Sequence, residues 1–319
     1  MVIYSDELAR TALARSEPLE GIVADTATRY WFYPATKSGS NSAGKTLIFV
    51  HGYRGNHHGL EAIAGALPDF DIVIPDLPGF GASAPFAGRH TVEAYVFWLQ
   101  EFIKLVARET TAGQKPVLVG HSFGSIISAG FAAGDGAKLI SHLVLINPVS
   151  APALEGPKAT LTKLVRLLFW FSGALPLKTG LGILKSWPMV RGMSIVMTKT
   201  WNRNLRAWVH AQHDANFNDF ANRQVAIEGY NASISHNVGE YAPNFTVPTT
   251  LIIGAKDDIT SVKQQEAMAA TIPAAWTMTT LRGVGHLTHY EKPFDVASAI
   301  RAGIEVADST SVDSNEAGS

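Results

Sequence analysis

Cysteine is absent from all 319 residues, which excludes disulfides, thiol nucleophiles and Cys-ligated metal. Charge is scarce and balanced: Asp, Glu, Lys and Arg make up 17% of the chain and leave a net charge of −1. Neither nucleic acid nor broad binding to an anionic membrane therefore has an electrostatic footprint. The longest uncharged apolar stretch of the cap region, Leu167 to Leu177, is about half of a membrane span and contains Pro176, so no transmembrane helix is expected. The opening Met1-Val2-Ile3-Tyr4-Ser5-Asp6-Glu7 carries acids where a signal peptide needs basic and apolar regions, which reads as a cytoplasmic protein. The N-x-S/T sequons at Asn231 and Asn244 then carry little weight.

What the chain does have is apolar bulk. At 46% hydrophobic it can bury a sizeable core, in one large domain or one domain with an insertion. Near-continuous Val/Ile/Leu runs at Thr46–Val50, Asp71–Asp76, Pro116–Val119, His142–Asn147 and Thr249–Gly254 read as strands of a parallel sheet covered on both faces by helices. Trp276–Leu281 adds a β-prone stretch, and Gly21–Tyr33 reads as antiparallel edge strands. Between Thr91 and Arg108, Val92, Tyr95, Val96, Leu99, Phe102, Ile103 and Val106 recur at helical spacing.

From Pro148 to Pro248 the pattern changes. No convincing strand occurs, and four of the seven tryptophans (Trp170, Trp187, Trp201, Trp208) fall here. Leu161, Leu164, Val165 and Leu168 share one helical face. Strands resume afterwards, so the stretch reads as a helical cap inserted into an α/β sheet domain. The expected division is core 1–149, cap 150–245, core 246–306 and a disordered tail 307–319, rich in Ser, Asp, Ala and Gly. The cap tryptophans read by default as core joining cap to sheet; their functional reading is an acyl pocket, or an apolar face making weak contact with a membrane surface.

The chemistry concentrates behind the strand ending at Val119. Gly120-His121-Ser122-Phe123-Gly124 is a G-x-S-x-G turn followed by the small-residue helix start Ser125–Gly130. In that context the motif is a nucleophile elbow: Ser122 projects from a strained turn, and the flanking glycines remove side chains that would clash. A serine nucleophile needs a histidine base and a carboxylate to orient it. Asp257 and Asp258 follow the strand at Leu251–Ile253, and His286 lies in the loop after Trp276–Leu281, giving the order Ser, Asp, His.

Five stretches in this order, spanning residues about 46 to 295, resemble the α/β-hydrolase superfamily, in its esterase/lipase-like group with a cap: His51-Gly52, Asp76–Ser83, Gly120–Gly124, Gly254-Ala255-Lys256-Asp257, and Gly285-His286 with Glu291-Lys292-Pro293. The resemblance implies Ser122 as nucleophile, His286 as general acid/base and Asp257, at the Gly-x-x-Asp position, as its orienter in preference to Asp258. It implies an oxyanion hole from the backbone N–H groups of Tyr53 and Phe123, each donor worth on the order of 3 kcal/mol. Asn147 stands where some relatives place the acid, which favours the later position. Asp76 reads as structural, holding the Leu77–Gly81 turn; His51 as shaping the oxyanion loop; His121 as packing beneath the elbow; His289 as surface or pocket wall.

His57 and His58 with Arg54 form a polar group beside that loop. Adjacent histidines are expected to diverge and only Glu61 offers a carboxylate, so no metal is assigned, and no cofactor is called for. The implied activity is hydrolysis of a carboxylic ester with an apolar acyl or ring group. C–C bond hydrolases, lactonases and cofactor-free haloperoxidase-like enzymes keep the same triad, whereas epoxide hydrolases and haloalkane dehalogenases use an elbow aspartate. An acidic amine-recognition site, as in iminopeptidase-like relatives, is not identifiable. A non-enzymatic small-ligand receptor on this fold is the reading from a different class.

Overall fold

A computed structural model describes residues 4–36, 44–109, 114–152 and 159–316. The apolar runs form one eight-stranded sheet: β1 (Glu17–Val23), β2 (Thr26–Tyr33), β3 (Thr46–Val50), β4 (Asp71–Pro75), β5 (Val117–His121), β6 (His142–Ile146), β7 (Thr249–Gly254) and β8 (Trp276–Leu281). The spatial order is β1-β2-β4-β3-β5-β6-β7-β8. β2 runs antiparallel to both β1 and β4, and the remaining neighbours are parallel. The sequence reading of the strands matches, including the antiparallel edge.

The helices are α1 (Tyr4–Leu13), α2 (Glu61–Gly65), α3 (Val92–Glu109), α4 (Phe123–Ala132), α5 (Ala159–Ala174), α6 (Leu177–Leu184), α7 (Trp187–Met197), α8 (Arg203–Asn216), α9 (Arg223–Ser235), α10 (Val262–Ala269), α11 (Thr288–Glu291) and α12 (Pro293–Glu316). Strand residues alternate between two cores. Leu47, Phe49, Val117, Val119 and Ile146 join the side built from α1, α2 and α12. Ile48, Val50, Leu118 and Leu145 join the side built from α3 and α4. Both faces are therefore dry, which is why the strands read as unbroken apolar runs. The helical stripe of α3 is buried as its spacing required, with Trp98 donating to Thr28 Oγ1 at 3.1 Å.

β3 lies between β4 and β5, so the chain leaves it in one direction and returns past it in the other. A crevice opens at the carboxyl ends of the strands at such a reversal. The turns after β3 and β5 face each other there, and those after β6, β7 and β8 line up alongside.

α5 to α9 lie between β6 and β7 and form the inserted cap. Two expectations about this region fail. Trp208 is buried against Tyr290, with its Nε1–H donated to Asp6, but Trp170, Trp187 and Trp201 are exposed rather than joining cap to sheet. On α5, Val165 and Leu168 face a cavity while Leu164 is 63% exposed; the side chain of Leu161 lies outside the described residues. The helix buries a narrow stripe centred on Phe169, which stacks on Tyr230 at 4.2 Å. The C-terminal segment also differs from expectation, because α12 continues to Glu316; Asp308 on it pairs with Lys45. Residues 317–319 of the expected tail lie outside the described residues. No helix among the described residues is long and apolar enough to cross a membrane.

Candidate active site

Ser122 sits between β5 and α4 with φ 54° and ψ −118°, a conformation that costs an L-residue about 1–3 kcal/mol. Its neighbours make the turn possible. A Cβ on Gly120 would lie 2.6 Å from the Gly124 carbonyl oxygen, and one on Gly124 only 2.2 Å from that of Val50. The Ser122 N–H donates to the Ile146 carbonyl at 3.1 Å, tying the elbow to β6. Phe123 opens α4, so its N–H has no helical carbonyl to bond.

His286, from the loop after β8, lies 2.7 Å from Ser122 Oγ through Nε2 and 2.8 Å from Asp257 Oδ2 through Nδ1. An ionised carboxylate only accepts, so Nδ1 carries the ring proton and Nε2 accepts from the serine hydroxyl. Asp257 Oδ1 accepts from the Ile259 N–H at 2.8 Å, and Oδ2 also accepts from Asn147 Nδ2 at 2.8 Å. Burial alone would raise the Asp257 carboxyl. The His286 charge and these hydrogen bonds outweigh it and hold the group below the usual carboxylate range. Asp258 points elsewhere, pairing with Lys199 beside the cap.

Asn147 does more than occupy the alternative acid position. Its amide bridges Asp257 and the Gly285 carbonyl, and its oxygen accepts from Thr288. Together they fix the acid and histidine loops to the end of β6. Asn147 was visible as a polar residue at a strand end, but nothing in the sequence signalled its partners. His121 lies under the elbow; burial, then the His286 charge, push its pKa down to about 3. His289 is buried in the cavity wall, 4.1 Å ring to ring from His121, and burial holds it well below the ordinary histidine value.

The loop after β3 is built around His51 and Asp76. His51 Nε2 accepts from the Leu77 N–H at 2.9 Å, and Nδ1 lies 2.8 Å from the Gly52 carbonyl. Asp76 Oδ1 accepts from the backbone and ring of His57, and Oδ2 from the Ala82 N–H at 2.8 Å, so it holds the 77–81 turn and the loop after β3 at once. Arg54 departs from the sequence reading. It is fully buried, at φ 61°, and points into the cap rather than toward the histidines. There it donates to the carbonyls of Phe217 and Leu184 at 2.9 Å each and to the Asn218 side chain, and lies over the rings of Phe217 and Phe220. Tyr53 reaches the same way, its hydroxyl donating to the Ala226 carbonyl at 2.6 Å.

His57 and His58 do not diverge as expected. The tight 3-10 turn at His57–Leu60 brings their ring centroids to 3.9 Å with the planes tilted by 40°, and with Glu61 they place possible ligand atoms within 4.8 Å of one another. His57 Nδ1 already faces Asp76 and His58 Nδ1 faces Glu61, at 2.9 and 3.1 Å. These contacts make the group a brace for the loop.

Above Ser122 and His286 opens a cavity of about 500 Å³, within the range of small-molecule sites. Val165 and Leu168 of α5, Met189, Met193 and Val196 of α7, and Ile234 of α9 form its apolar wall. Three of the chain's six methionines line it, a side chain that adapts to varied apolar shapes.

Known proteins share this arrangement of strands and turns. The chain is similar to Lipase 3 of a Moraxella species, 27% identical over 270 residues that cover 82% of this chain and 78% of that protein. It is similar to Lipase 1 of Psychrobacter immobilis, 26% identical over 82% of this chain and 77% of that one. In structure it resembles an esterase from Exiguobacterium antarcticum, with a TM-score of 0.70 and 16% identity, covering 91% of this chain and all of the other. A family model described as the alpha/beta hydrolase fold matches residues 45–293, from the start of β3 to the first residue of α12. That span takes in the elbow, the loop after β3, the cap and both partners of Ser122, and the chain belongs to the α/β-hydrolase fold family.

Proposed function

We propose that the protein is a serine hydrolase that cleaves carboxylic esters with an apolar acyl part. The observation that carries the reading is the unbroken contact from Ser122 Oγ through His286 to Asp257, opening on an apolar cavity of about 500 Å³. The lipase relatives support the bond class. Ser122 Oγ attacks the ester carbonyl carbon while its proton passes to His286 Nε2. The N–H groups of Tyr53 and Phe123 stabilise the oxyanion. His286 returns the proton to the leaving alkoxide, releasing the alcohol and leaving the acyl-enzyme. Water, deprotonated by His286, then attacks the acyl carbon; the bond to Ser122 Oγ breaks, the proton passes from His286 back to Oγ, and the acid leaves. Asp257 stays ionised throughout, holding the tautomer and stabilising the imidazolium. These steps balance without metal or cofactor.

Incubation with a fluorophosphonate probe and a panel of p-nitrophenyl esters tests the reading. The expected result is labelling at Ser122, lost in Ser122→Ala, and turnover that extends to medium acyl chains. No labelling and no turnover, with ligand-induced thermal stabilisation unchanged in Ser122→Ala, would overturn it in favour of a receptor.

A further inference from the structure

The net charge of −1 conceals a strong local imbalance. Between Gly156 and His213 the sequence holds nine lysines and arginines and not one aspartate or glutamate. This is the segment of α5 to α8. Arg191 pairs with Asp214, and Lys199 with Asp258. Among the described residues no carboxylate lies at ion-pair distance from Lys163, Arg166, Lys178 or Arg203, and all four are exposed.

The same segment exposes large apolar side chains. Leu164, Leu167 and Trp170 project from α5 at 58–67% exposure; Trp187 and Ile195 project from α7, and Trp201 before α8 is 86% exposed. Scattered apolar residues need no explanation, but three exposed tryptophans and several exposed leucines within one cationic segment of the cap are a concentration of a kind that marks an interaction site. α5 and α7 are two-faced. Val165 and Leu168, and Met189 and Met193, line the cavity, while Leu167, Trp170, Trp187 and Ile195 are exposed at least about 100° away round the same helices.

We propose that this outer cap face docks on an anionic lipid bilayer. Tryptophan sits favourably at the boundary between headgroups and acyl chains. Lysine and arginine at the rim of such a surface meet the negative potential of anionic lipids, each worth a several-fold gain in partitioning. A nucleic acid would satisfy the cations but leave the outward leucines and isoleucine in water, and a second copy of this positive face would be repelled. The proposal is independent of ester cleavage, since it concerns the outside of the cavity wall.

The test uses full-length Ser122→Ala protein, so that the vesicles stay intact, in co-sedimentation with phosphatidylcholine vesicles with or without phosphatidylglycerol. Binding is expected to be at least tenfold tighter with phosphatidylglycerol, to fall steeply with salt, and to blue-shift the tryptophan emission. Lys163→Glu, Lys178→Glu and Arg203→Glu together should weaken it by about 100-fold or more. The same triple change in the Ser122 protein should leave hydrolysis of a soluble short ester unchanged, which separates lost docking from lost folding. Trp170→Ser should weaken binding to both vesicle types. Equal binding to the two vesicles, no binding to either, or full binding by the triple variant would overturn the proposal. So would preferential capture of an oligonucleotide, or dimerisation abolished by Trp170→Ser.

Discussion

Two adjacent aspartates follow β7; Asp257 hydrogen-bonds His286 while Asp258 pairs with Lys199, so Asp257→Asn and Asp258→Asn should behave as opposites. In the first, the carboxylate 2.8 Å from Nδ1 is replaced by a neutral amide. Unit charges about 4 Å apart interact by about 4 kcal/mol at an effective dielectric constant of about 20. Losing that support for the imidazolium slows acylation about a thousandfold, at 1.36 kcal/mol per decade. An amide also favours the wrong ring tautomer, which takes the loss toward ten-thousandfold. In the second, a partly exposed pair with Lys199 is removed, and such pairs contribute about 1 kcal/mol or less. Activity should stay within about fivefold. Initial rates of p-nitrophenyl butyrate hydrolysis measure both, with circular dichroism confirming the fold. If Asp257→Asn stays within about tenfold of wild type, or Asp258→Asn falls as far as its neighbour, the assignment of the acid is wrong.

Arg54→Met keeps the volume but strips the donors from two buried carbonyls and Asn218, and should cost on the order of 3 kcal/mol with faster proteolysis between residues 184 and 220; a denaturation midpoint unchanged from wild type would contradict this. The buried histidines set a pH dependence of stability: burial holds His121 and His213 at about 3 and His142 at about 4. The unfolded chain therefore takes up these protons first. Their contribution is complete above the ordinary value of about 6.5 and is lost as pH falls toward the folded values, by on the order of 2 kcal/mol each between pH 7 and 5. Urea titrations at the two pH values would show a drop of several kcal/mol, and equal stabilities would refute it. Met193→Trp should fill part of the cavity, raising KM for octanoyl esters at least tenfold while changing acetyl ester hydrolysis less than threefold; a parallel loss on both would argue that Met193 does not contact the acyl chain.

The sheet was legible because each central strand is buried on both faces and so carries its pattern in five or six consecutive residues. The candidate site was legible where chemistry imposes local constraints: the elbow glycines, the acid after β7 and the histidine after β8. It was not legible where one residue answers to another far along the chain. Asn147 holds Asp257 from 110 positions away, and Arg54 finds its partners only once the cap has folded over it. The cap tryptophans misled for a related reason. A large aromatic side chain usually signals core, and spacing cannot tell the inner face of a two-faced helix from its outer one when both are apolar.

Arg54 and Tyr53 carry one further consequence. The same short loop whose Tyr53 N–H we propose meets the reacting carbonyl is fastened by its side chains to α9, to the last residue of α6 and to the segment following α8. Under the proposed mechanism, selectivity and rate are thus wired through a common anchor. A chimera that grafts a foreign insertion between β6 and β7 would alter how fast this scaffold turns over, as well as what it accepts, unless the graft also supplied carbonyls for the arginine.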